Sequence, residues 1–383
     1  MKRSLEKSAW IGLALVAAAS ACAGLLNGLQ PVDFQWLPAK ILASGENPYL
    51  YSLHNLPYMG SQLDAAYAPS CLALLTPFVF LSRGAANVTW AVCNLAFTAA
   101  FFLFVWKLWF ENRLGGRAFA LVVFVTLVGV PWRVLIGCGQ HLMFSLAFFM
   151  ATLYAAERGR KCLSGVLLAL SLFKYTTMAP LCFVFLFRRE WRAIVICAAI
   201  HILLTLGAGL YLGENPVMLV LQSLEVGGSL VAQGDADIAS LLREFGWGGV
   251  KVWSTVGYVI YGTFCLVVAF ARKQDDLLKF ATLAVISNVM FYHRAYDFVT
   301  LVFPLIVALR DWQLRDGVSR YVRYLTFANV LWTFFILRAV VALHLPCPFV
   351  AIAFALEHLL LGALLSSLFS SYRLPQMAKI NHR

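Results

Sequence analysis

Ten polar side chains at the ends or in the middle of long apolar runs could do chemistry in this chain: Asp33, Glu46, Asp64, Arg133, Gln140, His141, Lys174, His293, Arg294 and Asp297. Asp33 stands just past the first apolar run. A carboxylate there could take a proton from a hydroxyl nucleophile, or it could be a helix-end charge that meets water. Lys174 has apolar sequence on both flanks. It is either a lysine that snorkels to an interface or a compact point charge for a phosphate. His293 and Arg294 beside Asp297 put cation and carboxylate together, either in a substrate cavity or as an ion pair that pins two helices. Arg133 follows Pro131 and Trp132, the pattern of an interfacial anchor. Gln140 and His141 open a helix, where capping is their ordinary role. No HExxH, Walker loop, CxxC or GxSxG occurs. A zinc protease, a P-loop ATPase and a serine hydrolase would each lack their working residues.

The elements that must position these groups are membrane helices. Of the 383 residues 61% are hydrophobic and 13% charged, against roughly 25% charged in soluble domains. The net charge of +12 reads as Lys and Arg holding cytoplasmic loops inside, so no nucleic-acid partner is expected. Nine cysteines are scattered through apolar runs and read as small core residues. The basic, then apolar, then small-residue N-terminus has the look of a secretory signal. The length of that run and the spans that follow favour a retained first helix. Residues 1–383 are expected to form one all-α, polytopic membrane domain of about ten to twelve transmembrane helices. Both termini are expected in the cytoplasm, with long extracytoplasmic loops at about 31–66 and 213–247. The first loop holds Pro31, Pro38, Pro48 and Pro57 and many aromatic residues, which suits short helices lying in the interface. Residues 70–82 are too short to span. Residues 163–187 lie between two basic clusters, so placing both clusters inside makes this stretch a hairpin with its tip near Lys174.

Several pieces resemble glycosyltransferase family 87, the polyprenol-phosphate-mannose-dependent mannosyltransferases and their relatives within the GT-C membrane glycosyltransferases. They are Asp33 followed by SGENPY (44–49), Tyr67-Ala-Pro69 with Pro77 beyond it, GQ (139–140) opening a helix, SGVLLALSLFK (164–174) leading to Pro180, and YHRAYDFVTLVFP (292–304). Two departures stand out: His141 follows GQ where asparagine is usual, and FYHR replaces a segment that often contains proline. The resemblance implies a GT-C-type helical bundle in the cell membrane, with its active site on the extracytoplasmic face. It implies transfer of a hexose, mannose first, from a polyprenyl-phosphate-linked donor to a hydroxyl of a glycolipid or glycan acceptor, with no cofactor and no required metal. Asp33 is then the expected base. Lys174, with Arg294 and Arg133, is expected at the donor phosphate. Asp64, Tyr67, Gln140, His293 and Asp297 are expected to line the substrate cavity. A single displacement would invert the anomeric centre. The competing readings are a transporter or flippase of a lipid-linked substrate, which would need a path to both faces, and a non-catalytic envelope scaffold.

Overall fold

The computed structural model describes residues 2–57, 65–111, 115–229, 242, 246, 250–271, 276–290, 294–314, 320–336 and 349–370. Every regular element among them is helical, which is how an apolar chain satisfies its backbone hydrogen bonds inside lipid. Five helices are long and apolar enough to cross a bilayer: Ile11–Gly28, Arg83–Phe110, Lys161–Leu186, Trp191–Leu212 and Ala351–Phe369. The pair Gly116–Val128 and Val130–Cys138 makes a sixth if it counts as one broken span. The expected ten to twelve crossings thus have five or six full-length helices behind them among the described residues. Large apolar side chains stand exposed along two of these helices, Ile11, Leu15 and Leu26 on the first and Leu203 and Leu210 on the fourth. In a membrane protein that surface meets lipid.

The chain divides into two compact units. The first comprises Met1–Leu108, Arg133–Met178 and Glu190–Val231. It contains α1 (Lys2–Gly28), the short helices α2 (Trp36–Ala43), α3 (Pro48–Leu53) and α4 (Pro69–Leu74), and α5 (Arg83–Val105). Helices α6 (Gly115–Val128) and α7 (Val130–Cys138) follow; α6 belongs to the second unit, and α7 enters the first at Arg133. The first loop therefore folds as short helices, as its prolines and aromatics indicate. In SGENPY, Asn47 caps α3 by accepting from Tyr49 N at 3.0 Å, and Pro48 follows at the first helical position, where a missing N–H costs nothing. Trp36 Nε1 donates to Phe78 O at 2.9 Å, tying α2 to the 3-10 turn Thr76–Phe80. As expected, α4 and this turn are too short to span.

Helix α8 (Leu142–Glu157) is buried along nearly its whole length between α5 and α9 (Lys161–Ser171). A helix apolar all round belongs in such a place. Next come the 3-10 turn Leu172–Lys174 and α10 (Tyr175–Phe187). The chain does not turn back here. Lys161–Leu186 forms one apolar helical stretch of 26 residues. At 1.5 Å per residue that is roughly 39 Å, longer than the ~30 Å hydrocarbon core. The expected hairpin is corrected: Lys174 lies in the middle of one helical stretch long and apolar enough to cross, and the two basic clusters stand at its opposite ends. Helix α11 (Trp191–Leu212) ends at Gly213. The stretch expected as a second long loop contains α12 (Pro216–Ser229), bound to the first loop by Asn47 Nδ2 donating to Gln222 Oε1 at 2.9 Å.

The second unit comprises Trp109–Trp132, Ala179–Arg189 and Ala232–Arg383. Besides α6 its helices are α13 (Val250–Phe270), α14 (Asp276–Met290), α15 (Val302–Leu314), α16 (Arg320–Leu331) and α17 (Phe349–Ser370). Buried α14 packs against α13, α15 and α17. Its Asn288 accepts from Thr300 Oγ1 at 3.0 Å and donates to Glu357 Oε1 at 3.5 Å.

Candidate functional site

The end of α1 is pressed against the end of α7. A Cβ on Gly28 would stand 2.8 Å from Ile136 O, so only glycine allows this approach. The chain then turns, and Asp33 N donates to Cys138 O at 2.9 Å. Across from it, Gly139 has φ +70°, and a Cβ there would lie 2.5 Å from Pro31 Cβ and 3.1 Å from Phe34 Cβ. Both the backbone angle and the crowding require glycine. This turn places Gln140 beside Asp33.

From Gln140 a chain of hydrogen bonds runs through the first unit. Gln140 Nε2 donates to Asp33 Oδ2 at 2.9 Å. Its Oε1 accepts from Lys174 Nζ at 3.0 Å and from Tyr67 OH at 3.2 Å. Lys174 is only 7% exposed, and its backbone N donates to Ser145 Oγ at 3.0 Å. Asp33 and Tyr67 are half-buried, and Gln140 is buried. Four residues from widely separated parts of the sequence, Asp33, Tyr67, Gln140 and Lys174, thus form one cluster. A carboxylate that keeps one oxygen uncommitted among the described residues and is joined through an amide to a buried ammonium can serve a reaction in which a hydroxyl loses a proton while a phosphate leaves.

His141 is fully buried among Phe173, Trp90, Tyr67 and Phe34, with ring centroids 4.6, 4.7, 5.0 and 6.0 Å away. Neither ring nitrogen has a hydrogen-bond partner among the described residues. Burial, and then the charge of Lys174, hold its imidazole well below the ordinary histidine range, so it is a neutral ring in an aromatic box. It precedes α8 at the cap position but makes no side-chain cap, and the side chain of Gln140 bridges instead. The ordinary capping reading of His141 is corrected. Ser145, one turn beyond His141, was not anticipated. Its spacing from His141 puts it on the same face of α8, but only the fold shows that Lys174 meets that face.

Of the remaining expected site residues, three are described. Arg133 lies on α7, half-buried. Arg294 and Asp297 belong to the second unit, where Arg294 N donates to Asp297 Oδ2 at 3.2 Å and Asp297 N donates to Arg294 O at 2.8 Å. Asp297 thereby caps the 3-10 helix Ala295–Leu301, a local structural role. Asp64 and His293 lie outside the described residues.

Comparison with curated proteins and with solved structures returned no match. The model of glycosyltransferase family 87 matches residues 65–304, more than half of the chain. That stretch carries Tyr67, Gln140 and Lys174 and begins after Asp33. With this match and its apolar helices, the chain belongs to glycosyltransferase family 87 and is a membrane glycosyltransferase.

Proposed function

We propose that the protein transfers a hexose, mannose first, from a polyprenyl-phosphate-linked donor to a hydroxyl of a glycolipid or glycan acceptor on the extracytoplasmic face of the cell membrane. The observation that carries this reading is the chain Asp33–Gln140–Lys174, a carboxylate and a buried ammonium on either side of one amide. The acceptor hydroxyl lies against the open oxygen of Asp33. As its oxygen bonds to C1 of the sugar, its proton passes to Asp33. The bond from C1 to the phosphate oxygen breaks, and its electron pair leaves with the polyprenyl phosphate. Lys174 meets the charge that develops on that phosphate. One displacement inverts the anomeric centre, so a β-linked donor gives an α-linked product.

The test is transfer by purified protein in lipid from radiolabelled polyprenyl-phosphate mannose to a mixture of glycolipid acceptors. Asp33→Asn keeps the hydrogen-bonding shape and removes the base. General-base catalysis contributes about 10²–10⁴-fold, and a loss of that size is expected. Equal transfer by wild type and Asp33→Asn would remove Asp33 as the base. Transfer from a glucose or arabinose donor in place of mannose would change the sugar and keep the reaction.

A further inference from the structure

We infer that His201 is a positioning residue that keeps the helix broken at Lys174, by giving Ala169 O the hydrogen bond that an unbroken helix would supply from its own backbone. The inference rests on the proposed placement of the donor phosphate at Lys174. Between α9 and α10, residues Leu172–Lys174 form a 3-10 turn, in which an N–H pairs with the third carbonyl before it in place of the fourth. The N–H groups that close α9 go to Leu168 O and Leu170 O. The carbonyl between them, Ala169 O, is passed over, and it accepts from His201 Nε2 at 3.0 Å. A carbonyl can only accept, so the ring carries a proton on Nε2, and Nδ1 takes the hydroxyl of Ser70 at 2.8 Å. Beside Ser70 on α4, Cys71 Sγ donates to Phe173 O at 3.5 Å. The break is therefore held from outside the helix at Ala169 and at Phe173.

His201 stands on α11, which leaves Val195, Leu203, Leu206 and Leu210 exposed. A histidine in such a helix is costly without partners. Ala193, Cys197 and His201 recur every four residues along one face, and α11 packs against α9 and α4. A Cβ on Gly165 of α9 would stand 2.7 Å from Ile196 Cβ and 2.9 Å from Ala193 O. This close approach sets the register of α9 and α11 one turn before the bond to Ala169. A regular helix turns about 100° and rises about 1.5 Å per residue, where a 3-10 turn takes about 120° and about 2.0 Å. Restoring the backbone bond to Ala169 O over the three residues Leu172–Lys174 would swing Lys174 by about 60° and draw it back by about 1.5 Å. A shift of that size breaks its contacts to Gln140 Oε1 and Ser145 Oγ, both now at 3.0 Å. His201 and the helix backbone thus compete for one carbonyl, and the winner decides where Lys174 points.

The experiment measures binding of a polyprenyl monophosphate to purified protein in lipid, with the neutral polyprenol as control. Wild type should prefer the phosphate, and Lys174→Met and His201→Phe should each weaken its binding at least about tenfold. A residue that acts through Lys174 has no further effect once Lys174 is gone, so adding His201→Phe to Lys174→Met should change binding by less than about threefold. His201→Gln places an amide N–H where Nε2 stands, and should bind within about threefold of wild type. His201→Asn is too short to reach Ala169 O and should bind as weakly as His201→Phe. It takes the place of the phenylalanine variant, alone and in the double, if that variant does not fold. Wild-type binding by His201→Phe and His201→Asn, or a glutamine variant as weak as the asparagine one, would overturn the positioning role. An equal loss from His201→Phe with and without Lys174 would also overturn it and mark His201 as a packing residue. Wild-type binding by Lys174→Met, or no preference of wild type for the phosphate over the polyprenol, would overturn the placement of the donor at Lys174, and the inference with it.

Discussion

Replacing Lys174 by methionine tests how much a buried charge contributes to the leaving group. Methionine keeps an unbranched chain of similar length, so the change removes the ammonium with little change in shape. Two unit charges ~4 Å apart interact by about 4 kcal/mol at an effective dielectric near 20. Lys174 is almost fully buried, so water screens it little. Part of this attraction already exists in the ground state, because the donor phosphate is charged before the bond breaks. Only the increase along the reaction lowers the barrier. Removing one preorganised donor from a developing oxyanion costs about 2.7–4 kcal/mol, or 10²–10³-fold in rate, and that is the loss expected in single-turnover transfer at saturating donor. Lys174→Arg keeps the charge but replaces a compact ammonium with a longer planar fork. It should recover less than about a tenth of the lost rate. A loss under about tenfold, or one abolished simply by raising the donor concentration, would refute the leaving-group role. Lys174 would then be a binding group or a structural one.

Two further predictions concern the frame of the site. Gly139→Ala must accept a left-handed backbone at about 1–2 kcal/mol and push Pro31 and Phe34 away, at about 1–3 kcal/mol for overpacking; denaturation in detergent should show the sum, and transfer should fall at least about tenfold as Asp33 shifts, whereas wild-type values for both would contradict the crowding at this turn. His141, whose neutral ring faces Lys174 and Tyr67, is held well below the ordinary histidine value by burial and then by Lys174, so the unfolded chain gains a proton below about pH 6.5 that the folded chain does not. Stability from this group is therefore intact above that value and declines as pH falls, by about 1.4 kcal/mol from pH 7.5 to 5.5; unfolding curves of wild type and His141→Phe should diverge in that window, and parallel curves would refute the buried neutral ring.

The helical class was legible because apolar content and run length constrain a chain in lipid to helices. The short helices of the first loop were legible for a local reason: Asn47-Pro48 carries its own cap and first turn. The stretch from Lys161 to Leu186 was misread because the distribution of basic residues was given more weight than length. Charge asymmetry orients loops statistically, while one helical stretch of 26 residues, apolar on average, is a direct geometric constraint. Lys174 falls at a 3-10 turn inside that helix, and a polar residue in an otherwise apolar run can mark a local irregularity as well as a reversal of the chain.

The site was legible in its parts and hidden in its connection. Asp33 and Lys174 stood out because an ionisable residue near membrane depth needs a reason to be there. Gln140 was placed in the cavity through the family resemblance, because an uncharged amide before a helix reads by itself as a cap. Its role depends on two donors converging on one oxygen from residues 73 and 34 positions away, and no spacing within the sequence encodes that convergence. The signal that does reach the sequence is steric. Gly28, where α1 meets α7, and Gly139, where the turn after α7 meets Pro31 and Phe34, are points too close for a side chain, and the turn they permit brings Asp33 to Gln140. In this fold glycine provides the approach, and the glutamine amide joins the carboxylate to the lysine.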